Sequence, residues 1–117
     1  TLAVRTLGAP AGRSYVLAGL GGAAEAGGAT FVDPDSGRAT FTAFGLPPAP
    51  AGKTYQLWWI ADGQPVSAGV FEVDEAGTGG LTLDQVPEQP VDLWAVTVEP
   101  AGGVPQPTGE MVLKSRV

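Results

Sequence analysis

The side chains from which proton-transfer or nucleophilic chemistry could be built here are carboxylates, a few hydroxyls and two lysines, because the 117 residues include neither histidine nor cysteine. Without imidazole the usual general base, the usual partner of a nucleophilic serine and the commonest metal ligand are all absent. Without thiol there is no disulfide, no thiolate nucleophile and no cysteine metal site. Ser14, Ser36, Ser67 and Ser115 lack an evident activating group, and a Ser–Lys pair using Lys53 or Lys114 is the one such combination the sequence leaves open. Two carboxylates alone suffice for glycoside hydrolysis. Yet Asp33 with Asp35, and Asp74 with Glu75, stand beside Gly or Pro in turn-like sequence, where Asp bonds its own backbone. The run Asp33-Pro34-Asp35-Ser36-Gly37 also matches the start of a calcium loop, but the later acidic ligand is missing at the required spacing. No catalytic, cofactor-binding or metal residue is therefore expected, and no cofactor.

Glu99 stands apart. It ends a strongly apolar run and precedes Pro100-Ala101-Gly102-Gly103, a segment that must bend sharply. A carboxylate there can accept backbone N–H groups of the glycine loop and lock its shape. Structural anchoring is the preferred reading over ligand contact. Trp58, Trp59 and Trp94 would form a carbohydrate platform only if exposed; in a small all-β domain, core packing is the plainer expectation.

The elements that must position these residues are short. With 18 glycines and 11 prolines, about a quarter of the chain, long helices are disfavoured. β-type runs alternate with turn signals: Arg13–Leu20, Ala29–Val32, Arg38–Phe44, Thr54–Ala61, Val66–Val73, Leu81–Leu83, Val91–Val98 and Met111–Leu113. Between them lie the glycine-rich stretch 21–28, the Asp33–Gly37 turn, and the stiff connector Leu46–Gly52. Asp62-Gly63, the Asp74–Gly80 turn, a Pro-punctuated loop and the long loop Glu99–Glu110 complete the set. Trp94, Val96 and Val98 share one face, while Leu57-Trp58-Trp59-Ile60 is apolar on both, as in a central strand covered on both sides. Seven to eight short strands at such spacing predict an all-β fold, an antiparallel β-sandwich of Ig-like or Greek-key type. Residues 1–12 are expected to be a tether or edge strand, and residues 13–117 a single domain.

Charge narrows the partners. The net charge is −6, and from Thr54 to Leu113 there are nine acids and no Lys or Arg, so phosphate backbones and anionic headgroups would be repelled. Nucleic-acid binding is not expected. The chain holds no apolar run long enough to span a membrane and no secretory leader. It opens on Thr1 rather than Met and reads as a piece of a longer protein, with any membrane segment lying outside it.

Four motifs occur in order: Tyr55-Gln56-Leu57-Trp58, Pro65-Val66-Ser67-Ala68-Gly69, Ala95-Val96-Thr97-Val98-Glu99-Pro100-Ala101-Gly102-Gly103 and Pro105-Gln106-Pro107-Thr108-Gly109. Together they resemble the C-terminal domain of the anti-sigma-K factor (RskA) family, most clearly from Gly45 to Leu113, with Val104 and Glu110 departing from the usual Ser and Pro. The motif residues Tyr55, Trp58, Gly69, Glu99, Pro100, Gly102, Gly103, Pro107, Thr108 and Gly109 are expected to be structural. The resemblance implies a cell-membrane parent in which this domain is extracytoplasmic, anchored by a transmembrane helix absent here. A cytoplasmic segment, also absent, would bind an extracytoplasmic-function (ECF) sigma factor, released through regulated proteolysis by a protease partner. The domain would be sensory or regulatory and no enzyme. The alternative is an extracellular module binding a carbohydrate, a peptide or cell-wall material.

Overall fold

The computed structural model describes residues 13–33, 35–84 and 91–115. The expected strand or tether at residues 1–12 and the Pro-punctuated stretch 85–90 lie outside them. The described residues form eight strands: β1 Arg13–Gly19, β2 Gly27–Val32, β3 Ala39–Phe44, β4 Lys53–Ala61, β5 Gln64–Phe71, β6 Gly79–Leu83, β7 Leu93–Pro100 and β8 Met111–Ser115. The only helical element among them is a 3₁₀ turn at Gly21–Ala23, so no described helix is long and apolar enough to cross a membrane. The all-β antiparallel expectation holds.

Local chemistry explains the hairpins. Between β2 and β3, Asp33 Oδ1 accepts the Asp35 N–H while Asp33 and Arg38 pair through the backbone. Between β4 and β5, Asp62 and Gly63 both take positive φ, 53° and 73°, which is the two-residue turn whose twist suits a hairpin. After β5, Asp74 Oδ1 accepts the N–H groups of Ala76 and Thr78 and folds that loop on itself.

One detail of the architecture differs from the expected sandwich. The strands make a single sheet in the order β5-β4-β7-β8-β1-β2-β3-β6. Two separate sheets do not arise because the C-terminal strand β8 inserts between β7 and β1 and pairs antiparallel with both. The sheet then curls until its edges approach: a Cβ built on Gly69 of β5 would lie 3.3 Å from a Leu81 methyl of β6. This near-closure brings the two end strands together without pairing them in the sheet.

Inside the curl sits one core of Leu17, Phe41, Tyr55, Leu57, Trp94, Val96 and Leu113, each at most 2% exposed. Aromatic rings tie its ends: Phe41 meets Phe71 edge-on at 5.3 Å, and Trp59 meets Trp94 edge-on at 5.9 Å. Tyr55 reaches out of the core to donate its hydroxyl to the Pro47 carbonyl, pinning the proline-rich connector, and its burial raises the phenol pKa. Trp94 and Val96 point inward as the alternation predicts, with Val98 half-buried against the same core.

Candidate functional site

β4 is buried over Thr54 to Trp58 without a break, so its outward-facing side chains are covered as well as its inward ones. The antiparallel register sets Thr54 opposite Glu99, Gln56 opposite Thr97 and Trp58 opposite Ala95 on the outer face of β4 and β7. All six are at most 5% exposed. What is bonded to Gln56 and Glu99 from above is the connection from β7 to β8, residues Ala101–Glu110, hereafter the strap. Its residues from Pro105 to Glu110 are exposed, so a thin layer of backbone separates a polar row from water.

The strap begins with a tight turn. Gly103 N–H donates to the Pro100 carbonyl, and Gly102, at the third position, has φ 91°; such a turn demands glycine there. Glu99 ends β7 directly beneath. Its Oε2 accepts the Thr97 hydroxyl at 2.6 Å, the Thr108 N–H at 3.0 Å and the Gly109 N–H at 3.1 Å, and its Oε1 accepts the Thr108 hydroxyl at 2.6 Å. Thr97 is itself held, since the Trp58 indole N–H donates to its oxygen at 2.9 Å. Indole, hydroxyl and carboxylate therefore form one polarised chain.

A second anchor lies on β4. Gln56 donates to the Val104 carbonyl at 2.9 Å and accepts the Val104 N–H at 3.0 Å, while its amide also donates to Ser67 Oγ on β5 at 2.7 Å. A primary amide thus pairs with both main-chain groups of one strap residue.

Electrostatics at Glu99 run against burial. Removal from water alone would raise its pKa. The hydroxyls of Thr108 and Thr97 and the N–H groups of Gly109 and Thr108 together outweigh that, and the carboxyl sits below its ordinary value. Glu99 is thus an anion saturated by neutral donors. With its lone pairs engaged and 0% exposure, it is placed to hold a loop and ill placed to take a proton from a substrate.

The structure gathers much of the sequence-derived set here. Trp58, Glu99, Pro100, Gly102, Gly103, Thr108 and Gly109 belong to the clamp and its turn. Gly69 marks a bulge next door, where Leu57 pairs with Gly69 and Trp58 with Ser67, leaving Ala68 extra. Tyr55 points away into the core, and Pro107 is exposed on the strap. The donors to Glu99 are Thr108 and Gly109, not the adjacent glycines, because Gly102 and Gly103 are committed to the turn. Gln56, Thr97 and Ser67 lie within the quoted motifs, and Ser67 was weighed as a hydroxyl, but none was among the residues expected to be structural; polar residues at outward parity within otherwise apolar strands were the available signal.

Other candidates fall apart. Trp58 is on the outer side of the sheet while Trp94 is inside, both 1% exposed, and Trp59 is half-buried against Trp94, so the three make no sugar platform. Asp33 and Asp74 serve their own turns. Ser67 and Ser115 accept from the Gln56 side-chain amide and from the Trp94 backbone N–H. Among the described residues no group of three or more carboxylates stands close enough to hold a metal ion.

Comparison with known proteins agrees with the motifs. Residues 1–111 match the family described as anti-sigma-K factor rskA, C-terminal. A Streptomyces griseus protein described as an uncharacterized protein in the phr 5′ region is 36% identical over 85 residues, which is 73% of this chain but 35% of that protein. The chain thus spans about a third of the curated relative it matches. No solved structure matches it. With most of its motif residues gathered about the β7–β8 connection and the family match running over residues 1–111, this chain belongs to the anti-sigma-K factor RskA C-terminal domain family.

Proposed function

We propose that this domain is the extracytoplasmic regulatory part of a membrane-anchored anti-sigma factor that controls an ECF sigma factor through regulated proteolysis. The observation that carries this reading is the family match over residues 1–111. It is supported by the chemistry of the domain, whose buried carboxylate is tied into loop anchoring, and by an acidic half with no Lys or Arg between Thr54 and Leu113, unsuited to nucleic acid. The domain acts by being folded and in place: while the barrel is closed it keeps the neighbouring stalk from a protease, and local or global opening links a signal to cleavage. Sigma binding belongs to a segment of the parent outside this chain, and the anchor to a transmembrane helix also outside it.

Two measurements on the full-length parent in its own membrane test this. The domain lacks cysteine, so a Thr42→Cys reporter at an exposed site on β3 will react with a membrane-impermeant maleimide in intact cells. Labelling only after permeabilisation would overturn the orientation. Destabilising the core with Trp59→Ala will raise stalk cleavage and sigma-dependent transcription. Unchanged cleavage and transcription in a domain shown to be loosened would sink the shielding role.

A further inference from the structure

We infer that the outer face of β1, β2 and β3 is a self-association surface, which receives the same face of a second copy of this chain. The registers put Ser14, Phe31 and Thr40 in one row across these strands and Val16, Ala29 and Thr42 in the next. All six are exposed, while the alternating Tyr15, Thr30 and Phe41 turn into the barrel. Val16 is 72% exposed, Phe31 48%, and Phe44, whose ring lies over Gly27, 53%. Three large apolar side chains standing in water on one sheet face mark a contact surface, as single scattered ones would not.

Charge and relief select the occupant. No outward position on the three strands, from Ser14 to Phe44, holds a charged residue, so a strongly basic or acidic partner gains nothing there. A bilayer is disfavoured as well, because a net charge of −6 is repelled by anionic headgroups and no Lys or Arg stands among these side chains to hold a phosphate. The nine acids between Thr54 and Leu113 belong to the other strands and their connections. This face is therefore where two acidic copies meet with little repulsion. Its relief is self-complementary. On β2 the large Phe31 stands one outward step from the small Ala29, and on β1 the large Val16 stands one outward step from the small Ser14. Their order is opposite, since Phe31 shares a row with Ser14 and Ala29 with Val16. A two-fold axis running across the strands between the two rows lays β1 on β1 and β2 on β2. It sets Phe31 of each copy over Ala29 of the other and Val16 over Ser14, so every large side chain enters a small position. The contact is isologous and keeps the strands aligned, as in stacked sheets. The ladders β1–β2 and β2–β3 carry no register shift, unlike β4–β5 and β7–β8, so both rows run unbroken across the face. With three strands taking part the contact is small and the dimer weak, about micromolar to millimolar, and Thr42 stays open to reagents between encounters.

This inference goes beyond the regulatory reading and does not need it. Its test is sedimentation equilibrium of the 117-residue chain up to about 1 mM, where a reversible dimer is expected. Phe31→Ser will weaken that dimer roughly tenfold or more, and Ala29→Phe will do the same by filling the place that Phe31 enters. Val66→Ser, at a 42%-exposed site on β5, will change it by less than about twofold. The altered side chains are exposed, so each variant keeps the monomer fold, checked by an unchanged far-UV spectrum. The orientation is read separately in chains that retain Phe31 and Ala29. The chain lacks cysteine, and the same axis sets Thr40 of one copy over Thr42 of the other. A mixture of Thr40→Cys and Thr42→Cys chains will therefore oxidise to the mixed disulfide faster than either chain alone oxidises to its own. A chain monomeric at about 1 mM, a dimer indifferent to Phe31 and Ala29, or a mixed disulfide that forms no faster would each overturn the proposal. Binding to phosphatidylcholine vesicles that Phe31→Ser abolishes, in a chain that stays monomeric, would assign the face to lipid and overturn it too.

Discussion

The two sides of the β4–β7 pair are both closed to water, and they are closed by different means. On the inner side Tyr55, Leu57, Trp94 and Val96 belong to one apolar cluster with buried residues of β1, β3, β5, β6, β8 and the connections between strands. On the outer side two sets of hydrogen bonds hold the strap, one through Gln56 and the other through Trp58, Thr97 and Glu99. The inner side gains from area removed from water, which is insensitive to pH and to the exact position of any one atom. The outer side gains from donors and acceptors that must all be present together, because a buried partner left alone costs more than the bond was worth. The difference predicts a scaffold and a moving part: the strap should lift without exposing the main core, whereas opening of the core should take the strap with it.

The largest expected effect tests the inner side. Trp94→Ala removes a 1%-exposed indole from the centre of the core and will cost about 3–5 kcal/mol. For a domain of this size that is a large share of total stability. A urea or guanidinium midpoint will show it as a global loss, with the strap amides and the core amides losing protection together. A small change would mean that the inner side is not the scaffold, and the contrast would collapse.

Next comes the outer side. Glu99→Ala leaves the hydroxyls of Thr97 and Thr108 and the N–H groups of Thr108 and Gly109 without their acceptor, a cost of roughly 2–4 kcal/mol. Here the loss will be local first. Amide hydrogen exchange at Thr108, Gly109 and Val104 will accelerate far more than at Leu57 or Val96. Equal acceleration at both sets would show that the strap and the barrel open as one unit.

The same carboxylate gives the comparison a pH axis. Glu99 has a folded-state pKa below its ordinary value, so its contribution is fully present above the unfolded carboxyl pKa, about 4.3. That contribution is lost as pH falls through the lower folded value. Acidification from pH 5 towards pH 2 should therefore loosen the strap in the wild type. Glu99→Gln, already without the charge, should show a flatter profile over the same range in strap exchange measured against pH. A wild-type profile no steeper than that of Glu99→Gln would remove the anion from the account.

Much of this division was legible in the residues, and the illegible part has a definite cause. Strand positions followed from alternation and from turns such as Asp62-Gly63, whose residue types suit the positive φ they adopt. The unbroken apolar run Leu57-Trp58-Trp59-Ile60 announced a strand covered on both sides. It did not say what covers the outer side, because Gln56 and Val104 are 48 residues apart and no local pattern encodes that pairing. The insertion of β8 between β7 and β1, which makes one sheet where two were expected, is hidden for the same reason. Glu99 was visible as a carboxylate at a forced bend, but its partners were misplaced by several residues. Reaching Thr108 and Gly109 depends on how the strap returns across the sheet, which the adjacent glycines influence only through their turn.

The smallest expected effect is also the sharpest, because it applies one chemical change to both sides. Trp58 and Trp94 are each 1% exposed. The Trp58 indole N–H donates to Thr97 at the head of the chain that ends on Glu99, whereas the Trp94 indole N–H has no partner among the described residues. Trp→Phe removes the pyrrole ring and its N–H at either site. At Trp94 the change loses packing and also relieves a buried donor of its unmet bond, two effects of opposite sign. At Trp58 the loss of packing is joined by the loss of a bond that orients the Thr97 hydroxyl towards the carboxylate. Trp58→Phe should therefore be the more destabilising by about 1 kcal/mol, read from paired denaturation midpoints, and it alone should quicken exchange at Thr108 and Gly109. If the two variants are equal in stability and in strap exchange, then area decides both faces, and the distinction between a packed side and a bonded side is lost.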